Sequence, residues 1–398
     1  MIVGLLLIAS PLAWWASARR QHRELERRID LAVAALLDDG SLDVVNETIQ
    51  HLTGRREWRS ELRFLKGGVL LRNGDAPAAM REFLFVRREG KLRIPLFRLV
   101  GKALYLQGEL VDAERALRTV VVEQPDDAEA HRWLAQVYHE FGSAQGSIAE
   151  LDQVIRLRPG DFLAYQLKAA TYVESLGDLE AAAEMYRQAL ERNPPEPHLS
   201  EIRRELARCL LIEKDYGGAL EIARDMPEGL LKQVITAECY WGLGESESAQ
   251  SLLDRLDETD ADDDGVLLLG AVLAIDRGDA RAAIPRLQKL LERNPQNVVA
   301  RHQLSLAYQS LGDTAASKAE SERMLEIRSL QMRREELHAR ALRQPSDAEV
   351  RDELAAVCEQ LGRNDEAVRW RRNAEQTRKA VQALHPSPER RPAYETAP

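Results

Sequence analysis

The stretch AEAHRWLAQVYHEFGSAQGSIAELDQVIRLRPGD, residues 128–161, shows in one copy the pattern that decides the fold. A small residue, Ala135, precedes Gly142 by seven positions, and another, Ser147, follows it by five. Small residues at these points let two antiparallel helices approach closely, and the glycine between them permits the left-handed backbone that ends the first helix. Pro159 then ends the second helix. The stretch predicts a helix–turn–helix unit.

The same pattern recurs along the chain, mostly at a period of 34 residues. The residues at the turn are Gly40, Gly74, Gly108, Gly142, Gly177, Lys214, Gly244, Gly278, Gly312 and Gly362. Lys214 stands where a glycine is expected, the spacing before Gly177 is 35, and the spacing before Gly362 is 50. A fixed period of this length is typical of helix pairs that stack on one another.

A unit of this length and pattern resembles the tetratricopeptide repeat. Residues 128–161 match the positions of that family best, through Leu134, Ala135, Tyr138, Gly142, Ser147, Val154 and Pro159. The resemblance implies an all-α superhelical solenoid of about ten antiparallel helix pairs between Leu25 and Ala383. It also implies that the first helices line a concave groove.

Two units depart from the pattern. Met226-Pro227 shortens the second helix of the unit that contains Lys214. Sixteen extra residues lie between Gly312 and Gly362, and residues 314–343 contain no proline or glycine. One extended helix is therefore expected there.

The first eighteen residues predict a membrane segment. Residues 2–18, IVGLLLIASPLAWWASA, carry no charge, and arginines follow at once. As a helix, this run spans about 25 Å, just short of the roughly 30 Å hydrocarbon core of a bilayer. Trp14 and Trp15 stand where an interfacial aromatic belt is expected. The positive charge that follows favours one hydrophobic, single-pass helix with the repeats on the cytoplasmic side.

Two alternatives remain open for this segment. Ala16-Ser17-Ala18 resembles a signal-peptide cleavage site, although no basic residue precedes the apolar run. A start codon assigned too far downstream would have removed such basic residues and would reverse the topology. Both alternatives place the repeats in the periplasm or outside the cell.

These patterns divide the chain into six expected segments. They are residues 1–18 as anchor or signal, 19–59 as juxtamembrane helix and first degenerate repeat, 60–331 as repeats, 332–347 as a helical insertion, 348–383 as the last repeat and 384–398 as a disordered tail.

Composition and motifs exclude several functions. The formal net charge of −10 disfavours nucleic-acid binding, including by an RNA-binding helical repeat, because phosphate contacts need a basic surface. The three cysteines are too dispersed for a zinc site and fall at interior helical positions, so buried thiols are expected. Residues 260–265, DADDDG, match the opening of an EF-hand calcium loop, but Ala271 replaces its essential glutamate. We expect no catalytic residue, no metal and no cofactor.

The first helices carry the candidate binding residues. In the register of the repeat, the groove candidates are Arg98, Lys102, Tyr105, Arg132, Gln136, His139, Lys168, Arg204 and Arg208. Guanidinium groups on adjacent rigid helices suit bidentate contact with carboxylates of an extended peptide. The arrangement is similar to the carboxylate clamp of tetratricopeptide co-chaperones, with arginine and glutamine in place of lysine and asparagine. The alternative is that these side chains are solvated and paired with local carboxylates.

The sequence therefore predicts a non-catalytic scaffold, tethered to a membrane, that binds peptide segments or helices of protein partners in the groove. The layout resembles the bacterial inner-membrane tetratricopeptide regulators of envelope assembly, without the rubredoxin-like metal knuckle that some of them carry. The alternative is a periplasmic or secreted repeat protein that acts in envelope assembly after signal cleavage.

Overall fold

The computed structural model of the chain describes residues 11–38, 40–256, 263–344 and 346–384. In these ranges, twenty α-helices follow one another as ten successive pairs, and no β-strand is present. The chain forms two compact units, Met1–Leu134 and Ala135–Pro398. The helical repeat that the sequence predicts is confirmed.

The first unit contains three helix pairs and the start of a fourth. Its helices are α1 (Pro11–Leu37), α2 (Leu42–Leu52), α3 (Arg59–Arg72), α4 (Ala76–Phe83), α5 (Arg93–Leu106), α6 (Leu110–Glu123) and the first part of α7 (Ala128–Glu140). From α1 to α6, each helix packs on the next. Their apolar faces form a core in which Leu52, Phe64 and Leu65 are fully buried.

The second unit continues the same arrangement from the end of α7. Its helices are α8 (Ala144–Leu157), α9 (Phe162–Thr171), α10 (Leu179–Leu190), α11 (His198–Ile212), α12 (Tyr216–Arg224), α13 (Leu230–Gly242), α14 (Ser246–Leu253), α15 (Asp264–Asp276), α16 (Ala280–Arg293), α17 (Val298–Ser310), α18 (Thr314–Arg343), α19 (Ala348–Gln360) and α20 (Asn364–Leu384). From α8 to α20, each helix packs on its successor. Successive pairs therefore share their apolar surfaces with their neighbours, as stacked repeats do.

Small residues set the spacing of the helix pairs. A Cβ atom at Gly101 of α5 would lie 2.6 Å from Cγ of Leu117 in α6. A Cβ atom at Gly67 of α3 would lie 2.5 Å from Cε1 of Phe83 in α4. Each glycine therefore leaves space that a large, buried side chain of the paired helix fills.

The turn inside the repeats has a left-handed residue, as the glycine pattern predicts. The eight turn glycines from Gly74 to Gly362 have φ between 65° and 85°. Lys214, which replaces a glycine, has φ of 62°. A side chain in this conformation costs roughly 1–2 kcal/mol. Gly40, the turn residue of the first pair, directly follows residue 39, which lies outside the described residues.

Many of these turns are followed by an aspartate that caps the start of the second helix of the repeat. The side chains of five N-cap residues accept a hydrogen bond, of 2.9 to 3.1 Å, from the amide three residues further on. These residues are Asp75, Asp178, Asp215, Asp279 and Asp313. Each cap satisfies an unpaired amide and places negative charge at the positive end of a helix.

The irregular units have specific structural causes. α12 has nine residues and ends before Met226-Pro227, as predicted. α18 is one continuous helix of 30 residues, which confirms the prediction from the absence of proline and glycine. The 35-residue spacing before Gly177 coincides with a π-helical turn, Tyr172–Leu176, that follows α9 directly. A π-turn adds one residue to a helix, which accounts for the longer spacing.

The N-terminal helix continues across residues 18 and 19, where the sequence places the boundary between the anchor segment and the juxtamembrane helix, and that boundary stays a prediction. α1 begins at Pro11 and continues to Leu37, and its first described buried side chain is Leu25. Residues 2–10 of the predicted membrane segment lie outside the described residues. Among the helices of the described ranges, none is both long and apolar enough to span a bilayer. At the other end, α20 includes Leu384, and residues 385–398 of the predicted tail lie outside the described residues.

The left-handed Lys214 gives a test of the turn. Lys214→Gly should raise the free energy of unfolding by about 1 kcal/mol, because glycine adopts this conformation without steric conflict. The Lys214 side chain is exposed, so no buried contact is lost. Urea unfolding of the full chain measures the change.

The converse substitution is the control for this test. Gly278 has φ of 79° and open space around it, so Gly278→Lys should lower stability by a similar amount. A Lys214→Gly variant no more stable than the original chain would contradict the assignment of strain to the turn.

Candidate binding surfaces

Arg98, the first groove candidate, is held by partners within the first unit. Its Nη1 donates to both carboxylate oxygens of Asp127 at 3.0 Å, and its Nη2 donates to the carbonyl oxygen of Leu37. The side chains of Arg98 and Asp127 are only 12% and 8% exposed. Asp127 also accepts a hydrogen bond from the amide of Ala130 in α7. Arg98 therefore joins α1, α5 and the start of α7, which is the local pairing that the sequence left open as the alternative.

Lys102 and Tyr105 lie beside an aromatic residue that the sequence prediction omitted. The ring of Trp133 lies 5.0 Å from Nζ of Lys102 and 5.5 Å from the ring of Tyr105, measured to ring centroids. All three side chains are half-buried. We call Lys102, Tyr105 and Trp133 the aromatic cluster. Trp133 directly follows the candidate Arg132 on α7, so its place in the repeat was the sequence signal that could have found it.

Arg132 and Lys168 have carboxylate partners close by. Nη1 of Arg132 donates to Oε1 of Glu129 at 2.6 Å, and both side chains are less than one-fifth exposed. Nζ of Lys168 donates to Oδ1 of Asp152 in α8, also at 2.6 Å. The Lys168 side chain is 13% exposed. These two cations are therefore neutralised by neighbours in the chain.

Arg204 and Arg208 are more accessible. Both lie on α11 and contact Glu205, at 2.9 Å from Nε of Arg204 and 3.4 Å from Nη1 of Arg208. Their side chains are 43% and 62% exposed. Exposed ion pairs contribute little to stability, so these pairs can exchange at low cost for the carboxylate of a partner. The role of Arg204 and Arg208 in binding stays a prediction.

The last two candidates lie near the end of α7. Gln136 is half-buried on this helix. Nε2 of His139 lies 3.2 Å from Oε2 of Glu174, which belongs to the π-turn after α9. His139 therefore lies beside a carboxylate of the π-turn, whereas Arg204 and Arg208 are exposed on α11.

A charged cavity of about 430 Å³ in the second unit includes this histidine. It lies where α18 and α20 approach the end of α7 and the π-turn. Nε of Arg369 lies 3.4 Å from Oε2 of Glu140, and Nη1 of Arg334 lies 3.6 Å from Oε2 of Glu366. No sequence pattern had predicted this contact, because it joins residues that are far apart in the chain.

His338 is the central aromatic side chain of the charged cavity. Its ring packs edge-on against Trp370 at 5.4 Å, and it occupies the space where a Cβ atom at Gly142 would lie. Burial lowers the pKa of His338; the charge of Glu366 opposes this shift, and the charge of Arg334 adds to it. The imidazole is therefore held in its neutral form at pH 7.

Comparison with known proteins supports the fold. The sequence profile of the tetratricopeptide repeat matches residues 100–162 and 167–229. The chain contains tetratricopeptide repeats. The apo form of the quorum sensor NprR from B. thuringiensis has a similar structure, with a TM-score of 0.52 over 77% of this chain and 99% of that one. Its 14% identity supports the fold alone.

Two curated relatives share the repeats over part of their length. The human protein DnaJ homolog subfamily C member 3 is 27% identical over 228 residues, which are 57% of this chain and 42% of that protein. The cellulose synthase operon protein C of Pseudomonas fluorescens is 32% identical over 145 residues, which are 33% of this chain and 11% of that protein. The chain thus spans less than half the length of either relative.

The three cysteine thiols are buried, as predicted. Cys209, Cys239 and Cys358 are free and inaccessible. Burial raises the pKa of Cys239 and of Cys358 to about 12, so both remain protonated at neutral pH. A buried, protonated thiol is a poor nucleophile and a poor metal ligand.

The acidic stretch 260–265 is only partly described. Residues 260–262 lie outside the described residues, while Asp263 caps α15 through hydrogen bonds from Gly265 and Val266. Within the described ranges, no cluster of three histidine, cysteine or acidic residues can hold a metal ion.

Removal of Arg98 tests its structural role in the repeats. Arg98→Ala should lower the free energy of unfolding by about 3 kcal/mol, because Asp127 would stay buried without its cation. The control is Arg115→Ala, whose pair with Asp112 is 74% and 57% exposed. The control should change stability by less than about 0.5 kcal/mol. Equal losses in both variants, measured by urea unfolding, would show that the Arg98 pair contributes no more than a surface pair.

The lowered pKa of His338 predicts a pH dependence of stability. An unfolded histidine takes up a proton below about pH 6.5, but folded His338 resists it. The free energy of unfolding should therefore fall as the pH drops through this value, by at most about 1.4 kcal/mol per pH unit, until the lowered pKa is reached. His338→Gln should remove this part of the dependence. An NMR titration that places the midpoint of His338 at or above 6.5 would refute the prediction.

Proposed function

We propose that these repeats form a non-catalytic scaffold that binds an acidic, partly apolar segment of a protein partner on the first helices. The observation that carries the proposal is the aromatic cluster, in which a lysine lies beside two aromatic rings on the neighbouring helices α5 and α7. Tryptophan and tyrosine dominate the binding energy of many interfaces. A cation beside them selects an acidic partner.

The surroundings of the aromatic cluster support this proposal. Leu106, next to Tyr105 on α5, is 49% exposed and extends the apolar surface. Arg204 and Arg208 belong to the second unit and are a separate candidate site for a carboxylate, through their exposed guanidinium groups. Arg98, Arg132 and Lys168 have internal partners, so they contribute less than the sequence pattern indicates. The proposed binding surface therefore has fewer basic side chains and more aromatic side chains than the sequence pattern predicts.

A displayed peptide library, selected on the purified full chain, tests the proposal. The enriched peptides should combine acidic residues with an aromatic or aliphatic residue. Trp133→Ala should weaken the selected peptides by about tenfold or more, as expected for a residue at the centre of an interface. Lys102→Glu should weaken peptides in proportion to their negative charge. Fluorescence anisotropy measures both effects.

Arg115→Glu is the matched control for the charge reversal. Arg115 is exposed, and it lies on α6, the second helix of its repeat, whereas the proposed surface lies on first helices. The control should leave affinity unchanged within about twofold. Peptides that bind the Trp133→Ala and Lys102→Glu variants as tightly as the original chain would refute the proposed surface. Circular dichroism checks that each variant keeps its helices.

We also propose that residues 2–18 attach the scaffold to a membrane, with the repeats on the cytoplasmic side. The uncharged run in the sequence and the exposed side chains of Trp14 and Trp15 support this attachment. An apolar segment that inserts into a bilayer should bind vesicles of neutral lipid, because its burial does not need headgroup charge.

The alternative is a periplasmic or secreted scaffold that acts in envelope assembly. In that case, the first eighteen residues would be cleaved after Ala18. N-terminal sequencing of the purified protein distinguishes a cleaved chain from a retained anchor.

A further inference from the structure

Residues 14–24 of α1 form an exposed helix surface, on which the ring of His22 lies 4.9 Å from the ring of Trp58, measured between centroids. Although α1 runs from Pro11 to Leu37, the described side chains between Trp14 and Glu24 are all exposed. Trp14 is 72% exposed and Trp15 is 50% exposed. Large aromatic side chains are rarely left this open on a protein surface unless they contact a partner.

The same turns of α1 carry a cluster of positive charge. Arg19, Arg20 and Arg23 are exposed, and residues 11–23 contain no acidic side chain. Within the described ranges, no ion pair engages these three arginines, whereas Arg27 and Arg28 further along pair with Glu24. The chain as a whole has a formal charge of −10, so the charge of this surface is opposite in sign to the net charge of the chain.

Trp15 and the three arginines share one surface, and Trp14 precedes Trp15 in α1. Positions 15, 19 and 23 follow one face of the helix at intervals of four residues. The guanidinium carbon of Arg19 lies 4.0 Å from the ring centroid of Trp15. Arg20 and Arg23 line the same concave surface, together with Arg27 and its partner Glu24. We call Trp14, Trp15, Arg19, Arg20 and Arg23 the α1 basic surface.

We infer that the α1 basic surface docks on the headgroups of anionic phospholipids. Guanidinium groups make bidentate hydrogen bonds to phosphate, and tryptophan rings favour the level of the headgroups at a bilayer surface. Juxtamembrane basic clusters are drawn to negatively charged leaflets. The uncharged residues 2–10 come directly before this surface in the sequence, which favours a lipid over a nucleic acid as the source of the phosphate.

This inference rests on the proposed membrane attachment and adds the class of lipid that is recognised. The attachment predicts binding to any bilayer. The α1 basic surface predicts that affinity rises with the fraction of anionic lipid and falls with salt, because exposed charges are screened. Insertion of the apolar segment and recognition of anionic headgroups can therefore be measured separately.

The test is flotation of the full chain with vesicles of phosphatidylcholine alone and of phosphatidylcholine with phosphatidylglycerol. The original chain should bind the mixed vesicles more tightly, and the gain should decrease as salt increases. The triple variant R19E/R20E/R23E should lose this gain, by on the order of 100-fold, since each basic residue near an anionic surface contributes about fivefold. Trp14→Ala with Trp15→Ala should weaken binding to both kinds of vesicle.

The matched control is R55E/R56E/R59E, which makes the same change of charge at three exposed arginines of the same unit. It should keep most of the gain on anionic vesicles. Equal loss in both triple variants would show that only net charge matters and would overturn the inference.

The remaining outcomes separate the inference from the attachment. Binding to neutral vesicles with no gain from anionic lipid would overturn the inference and leave the attachment standing. Binding to anionic vesicles alone would support the α1 basic surface and refute insertion of residues 2–18. A short RNA duplex that displaces the chain from anionic vesicles at equal phosphate concentration would assign the surface to a nucleic acid and overturn the inference.

Discussion

The distance between the two helices of a repeat is the constraint on which the rest of this structure depends. At Gly101 and Gly67, even one added carbon would have to displace Leu117 or Phe83 from the core. This close approach buries the apolar faces of both helices, and stacked repeats have only their neighbours to supply further contacts. The left-handed turns and the carboxylate caps also favour this close approach, because they end one helix and start the next within a few residues.

Much of the fold could be predicted because its determinants are local. The spacing of glycines, the proline after Met226 and the lack of a helix breaker in α18 each act over a few turns of chain. The longer spacing before Gly177 was also a sequence signal, but its cause is a change of hydrogen-bond pattern in the π-turn Tyr172–Leu176. Length alone does not distinguish a π-turn from an extra residue in a loop.

The binding surface could be predicted only as one face of the first helices. The repeat register identifies the face that Arg98 and Lys168 share, but not that Asp127 and Asp152 lie within hydrogen-bond distance of them. Those distances depend on side-chain rotamers and on the neighbouring helix, which a single repeat does not specify. The charged cavity around His338 was beyond sequence reasoning for a stronger reason, because it forms only when distant repeats of the second unit are in place.

Part of the acidity of the chain lies where its second helices begin. Seven second helices start just after an acidic residue, namely Asp75, Glu109, Asp178, Asp215, Glu245, Asp279 and Asp313. Negative charge is stabilised at these helix ends, whatever the chain binds elsewhere. Each of these residues adds a negative charge at a place that the turn fixes, and the seven are a small share of the 65 acidic residues. The charge that a partner meets is therefore set by the local surface and not by the net charge of the chain.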